Sequence, residues 1–206
     1  MTPLFIALLR VVPSKPPTER PALKLGDDVV LSDDLREVVR AIAQRYHEKT
    51  KRTLEITSGV RSPERQAGAM YTKLVVGGSL AIYKRQALTT PILKAYRDGR
   101  KKKHKKEEIV KAMAAVIADQ VAHGDFISRH LKGRAFDARL HGLTGKQRQA
   151  FLAAAKEVGG VRVLIERHPP HFHVELLPKP EPAPGGPDGK PDEKPDEGPD
   201  IDEGER

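Results

Sequence analysis

The sequence predicts an α+β fold, a small antiparallel sheet with helices packed on it. Two observations carry that prediction. Apolar residues recur with a helical period in several long segments, while two-residue alternation is concentrated in short segments between residues 134 and 177. The helical segments mostly precede the alternating ones, an order unlike the regular strand–helix repetition of a parallel α/β sheet. With 206 residues the chain is long enough for one domain with a real core.

The elements follow in order. Pro3 to Leu9 is a short apolar stretch, interrupted by Arg10 and lacking both a basic leader and a small-x-small cleavage site, so it makes a poor signal peptide. Residues 13–22 are Pro-rich and read as a linker, which places an N-terminal segment at 1–24. Ser32 is an N-cap, and Leu35, Val38, Val39 and Ile42 form one apolar helix face, in a helix expected to reach about Tyr46. Leu54 to Thr57 alternates like a strand. Ser62-Pro63 starts a helix, with proline at its first position. Residues 70–106 give no clear pattern, contain Gly77-Gly78, and end in the basic run 100–106.

Glu107 to His123 is a strong helix whose stripe includes Ile109, Met113, Val116 and Ile117, with Gly124 as its stop. Residues 134–140 read as a strand. Thr144 and Gln147 form a capping box for a helix that carries Phe151, Leu152, Ala155 and Val158. Two final strands are expected at about 161–166 and 171–177. The tail 178–206 is Pro, Gly, Asp, Glu and Lys with one apolar branched residue, Ile201; it cannot bury enough surface to offset chain ordering and is expected to be disordered.

Composition limits the function. There is no Cys, so disulfides and thiolate metal sites are excluded, and any metal must be held by His and carboxylates. The formal net charge of +9 divides unevenly: residues 178–206 hold 10 acidic residues and 4 Lys/Arg, leaving 33 Lys/Arg against 18 Asp/Glu in residues 1–177. Such a basic body suits an anionic partner, or simply a soluble surface rich in lysine. The run 100–106 has no interleaved aromatics to stack on bases, so no specific nucleic-acid partner is expected; it reads as a solvated loop or helix end, with binding to an anionic wall polymer as the alternative. No run is long enough to span a bilayer.

Five of the eight His fall between His130 and His173. In the strand 134–140, Phe136 and Leu140 suit a core, which turns Asp137 to the opposite face, and Gly133 lets the chain turn so that His130 comes back over that face. In the last strand Phe172, Val174 and Leu176 make one apolar face, and His171, His173 and Glu175 share the other. Two His and one carboxylate suit zinc with a fourth position left for water.

These residues, Ser128-x-His130-x-x-Gly133-x-Ala135-x-Asp137 followed by His171-x-His173, resemble the zinc site of the M15 family of D-Ala-D-Ala carboxypeptidases and peptidoglycan endopeptidases, whose fold is shared with the Hedgehog signalling domain. Ser58-Gly59-Val60-Arg61-Ser62 is similar to the family's Ser-Gly-Tyr-Arg-Ser segment, with Val60 in place of the aromatic. The resemblance covers roughly residues 33–177 and is interrupted from about 70 to 123, which implies a zinc peptidase domain at 25–177 with a helical insertion.

Carried over by position, it implies His130, Asp137 and His173 as ligands of Zn2+. It implies Arg61 as stabiliser of the substrate carbonyl or oxyanion, His171 as a group that bonds the intermediate or orients water, and Ser128 and Glu175 as supports. The family has an acidic general base a few positions before the last ligand; here Glu166 stands seven positions before His173, with His168 as its rival. The implied activity is zinc-dependent hydrolysis of bacterial cell-wall peptide, as a D,D-carboxypeptidase or an endopeptidase. The implied protein is a monomer of the cell envelope. A phage or injection-system lysin, or a non-catalytic zinc module of the same fold, are the alternatives.

Overall fold

The computed structural model describes residues 21–178. The apolar start, most of the Pro-rich linker and the acidic tail beyond residue 178 lie outside the described residues. The fold is α+β. Strands β1 (Leu23–Leu25), β2 (Leu54–Ser58), β3 (Ala135–Arg139), β4 (Val161–Arg167) and β5 (Pro170–Leu176) form one sheet in the order β1-β2-β3-β5-β4. Helices α1 (Asp33–Thr50), α2 (Pro63–Val75), α3 (Gln86–Lys101), α4 (Lys106–Ala122) and α5 (Gly145–Val158) complete it.

The sheet is mixed, which corrects the antiparallel expectation. β1 runs parallel to β2, and the other pairs are antiparallel. A parallel pair needs a crossover, and α1 supplies it. β1 has only three residues, too few for alternation to show, and it begins inside the segment read as linker and start.

One face of the sheet carries the main core. Leu35, Val39, Ile42, Ala43 and Tyr46 of α1 and Phe151, Ala154 and Ala155 of α5 pack on Ile56, Phe136, Ala138, Phe172 and Val174. Phe151 stacks on Phe172 with ring centroids 4.2 Å apart. The α1 N-terminus is capped as expected, with Ser32 Oγ accepting from Leu35 N at 3.4 Å, but the helix runs a turn past Tyr46 to Lys51, which closes it in the left-handed region.

A second core joins α2, α3 and α4 through Ala67, Met70, Ile92, Ile109, Met113 and Ile117. α3 is the element the sequence hid. Pro91 lies inside it, and an internal proline removes a helical hydrogen bond and breaks the apolar period. The basic run is split between the end of α3, where cations favour the negative end of the helix dipole, and the start of α4. Gly99 is where the two helices meet, since a Cβ there would stand 2.7 Å from Ile109 Cγ1. Among the described residues, no helix is long and apolar enough to cross a membrane.

Candidate metal centre

The candidate cluster sits on the sheet face opposite α1 and α5. Asp137 of β3 and His173 of β5 are direct cross-strand partners, so both side chains leave the same face. A register shift between Ile56 and Ser58 brings Ser58 opposite Asp137 as well. His130 arrives from a single 3-10 turn, Arg129–Lys132, capped by Ser128, whose Oγ accepts from His130 N at 3.3 Å. Gly133 ends the turn at φ 63°, and its carbonyl is fixed by Ser32 Oγ at 2.8 Å.

Gly59 positions the imidazole from behind. A Cβ at Gly59 would stand 2.1 Å from Val30 O, so only glycine allows the chain to pass here. The Gly59 carbonyl then accepts from His130 Nδ1 at 2.6 Å. That bond assigns the His130 proton to Nδ1 and leaves Nε2 with a lone pair. His173 is oriented likewise, with Nε2 donating to Glu175 Oε1 at 3.2 Å and Nδ1 facing inward. Glu175 is in turn held by Arg162 at 2.6 Å and Arg129 at 3.6 Å.

Three acceptors therefore converge. His130 Nε2 lies 3.2 Å from both Asp137 Oδ1 and His173 Nδ1, and the latter two are 2.9 Å apart. Ligand bonds of about 2.0–2.1 Å at a tetrahedral centre separate ligand atoms by about 3.3 Å, close to what is seen. All three residues are buried. Three buried lone pairs aimed at one point repel one another unless a cation lies between them.

The titration directions agree. Burial alone would raise the Asp137 carboxyl, but the adjacent His130 and His173 imidazoles and the charge of Arg61 hold it well below the usual range. Burial pushes His130 down despite Asp137. Burial also opposes charge on His173, yet the neighbouring Asp137 carboxylate outweighs it and its pKa is raised. His130, Asp137 and His173 can thus hold a metal ion.

The remaining residues named from sequence fall around an open cleft of about 1050 Å³. Arg61 lies against Asp137: it pairs with Oδ2, while Nε donates to Ser58 Oγ at 2.8 Å and Nη1 to Gln66 Oε1 at 3.3 Å. Among the described residues, three of its five N–H groups are engaged. His171 donates Nδ1–H to Pro169 O at 2.7 Å, and its Nε2 faces Asp137 Oδ1 at 3.5 Å and Glu166 Oε2 at 3.7 Å.

β4 and β5 join through a two-residue turn, with Arg167 opposite Pro170, and this sets Glu166 opposite His171 on the metal-side face. His168 is in that turn, exposed and away from the cleft lining.

Sequence reasoning missed three neighbours. Lys73 of α2 pairs with Glu166. Gln66 donates to Tyr83 Oη at 3.2 Å, and burial, opposed by the charge of Arg61, pushes the Tyr83 phenol up to about 12. Lys73 was detectable, because it falls on the buried stripe of α2 with Gln66, Ala67 and Met70. Tyr83 follows a 3-10 turn, Leu80–Ile82, in a segment with no readable period.

No family model matches the chain, and neither the curated proteins nor the solved structures contain a match. What fold and site define is an α+β domain with a buried His/Asp cluster able to hold a metal. Anything more particular rests on the residues themselves.

Proposed function

We propose that this protein is a zinc-dependent peptidase of the Hedgehog/DD-peptidase type, acting on peptide bonds of bacterial cell-wall peptide in the cell envelope. The observation that carries the metal part is the convergence of His130 Nε2, Asp137 Oδ1 and His173 Nδ1 within 2.9–3.2 Å, with both imidazoles protonated on the far side. Two imidazoles and a carboxylate are a zinc set with one position left for catalysis. When bound, zinc supplies a Lewis acid for a scissile carbonyl and brings the pKa of water toward neutrality.

The chain's own groups cover the rest of a hydrolysis. Glu166 reaches the cleft through Oε2, which is shared with Lys73, while Oε1 has no hydrogen-bond partner among the described residues and is free to take a proton and pass it to the leaving amine. The two N–H groups of Arg61 that have no partner among the described residues offer fixed positive donors to developing negative charge. The cell-wall substrate, as D,D-carboxypeptidase or endopeptidase, follows from the motif resemblance alone. A lysin of phage or an injection system would use the same chemistry.

The test is incubation of purified peptidoglycan with zinc-loaded protein, with and without chelator, and mass analysis of the released muropeptides. New fragments in the zinc arm only are expected, and their loss in Glu166→Gln. A second reading, a non-catalytic zinc module, is favoured by the ion pair that already engages Glu166. It predicts full zinc occupancy with no fragment released.

A further inference from the structure

The cluster at the cleft floor contains more metal-binding groups than a catalytic site uses. Beside the first set, Glu166, His171 and His173 form a second group whose ligand atoms all lie within 4.8 Å of one another. A carboxylate this near His173 would be a natural fourth ligand to a divalent cation held by the first set. Four protein ligands make a closed structural site, whereas a catalytic site keeps one position open. Something must hold Glu166 back for the site to work as a peptidase.

Lys73 is placed to do so. It is the one charged residue on the buried stripe of α2, with its side chain only 10% exposed. Burying an ammonium is costly unless it is paired. Its partner is Glu166 Oε2, itself 16% exposed. The aliphatic stem is clamped from the other side by Gly78: a Cβ there would stand 2.7 Å from Lys73 Cγ, and Gly78 N donates to Lys73 O at 2.8 Å. The Gly77-Gly78 break that stops α2 thus also fixes its last buried side chain. The ammonium can be reached by Glu166 without any movement of β4.

We propose that Lys73 is a positioning residue that withholds the Glu166 carboxylate from the metal's ligand set and so keeps it available as a proton acceptor. This rests on the metal reading above. It goes further by naming the residue that decides between an open centre and a closed one.

The test uses the full chain and zinc alone, titrated against a chromophoric chelator. Glu166→Gln is expected to keep zinc affinity within about twofold of the parent, since the carboxylate is held by Lys73 and hydrogen-bonds none of the three ligands. Lys73→Met, which frees the carboxylate, is expected to raise affinity by about tenfold or more, and the double variant Lys73→Met/Glu166→Gln to return to the parent value. Lys73→Arg, which keeps the charge, is expected to behave as the parent.

In the cobalt-loaded proteins, added azide is expected to shift the visible spectrum of the parent but not that of Lys73→Met. A tenfold loss of affinity in Glu166→Gln would overturn the proposal, as would Lys73→Met binding zinc no more tightly than the parent. If Lys73→Met does not fold, Lys73→Gln takes its place for the affinity gain, and a tenfold loss in Glu166→Gln still overturns the proposal. A parent that takes up no zinc removes the metal reading itself, and the proposal falls with it. A parent with one zinc per chain and unresponsive Lys73 variants sinks this proposal alone.

Discussion

Replacing Gly59 by alanine tests how the backbone builds the candidate metal centre. The added Cβ would lie 2.1 Å from Val30 O and 2.8 Å from Leu31 Cδ2. Ordinary contacts are at least about 3 Å, so the segment must retreat by roughly 1 Å. Val60 N donates to Val30 O at 2.7 Å and ties the two segments together, so the retreat strains that bond too. Overpacking of this kind costs about 1–3 kcal/mol. For a domain of this size that lowers the melting temperature by about 2–12 °C.

The same retreat carries the Gly59 carbonyl away from His130 Nδ1, now 2.6 Å distant. A shift of about 1 Å takes that contact past hydrogen-bond range, and losing a bond that orients a ligand typically costs about 10–100-fold in metal affinity. Differential scanning fluorimetry and a zinc titration read both effects. Gly68→Ala is the control, because a Cβ there meets nothing within 4 Å and the position is helical. It should gain about 0.5–1 kcal/mol. A Gly59→Ala protein with parental melting temperature and zinc affinity would refute the reasoning.

Asp137→Asn in metal-free protein leaves the mostly buried Arg61 without its charge partner and should cost about 3 kcal/mol at neutral pH. Because the folded Asp137 carboxyl titrates well below its usual range, its stabilisation is present above the unfolded value of about 3.9 and is lost as pH falls through the folded value. The gap in melting temperature between parent and variant should therefore close under acid, as seen by circular dichroism; a gap unchanged at pH 2 would contradict the pairing. Phe172→Ala removes a fully buried ring that stacks on Phe151, and a loss of about 3–5 kcal/mol is expected in urea unfolding. A cost under about 1 kcal/mol would show that the two strand faces are assigned the wrong way round.

The strands of the site were legible because their chemistry follows a two-residue period. Phe136 and Phe172 point into the core, and that alone turns Asp137 and His173 to the same opposite face. Ser32, Ser62 and Thr144 announced helices α1, α2 and α5 through their caps. Three features were not legible. β1 is too short to alternate and depends on pairing with β2. α3 was masked by Pro91, whose cost is offset by packing with α4. The pairing of Lys73 with Glu166 joins residues 93 apart, and no local pattern carries such a contact, although a lysine on an apolar stripe hinted that a partner existed.

The most direct test of the central claim is metal analysis of the purified protein with a zinc titration of the parent, His130→Ala, Asp137→Ala and His173→Ala. One zinc per chain is predicted for the parent, with affinity reduced by orders of magnitude in each variant while the circular dichroism spectrum is kept. A parent without affinity for zinc, or variants that bind it as the parent does, would contradict the claim that these three side chains form a metal centre.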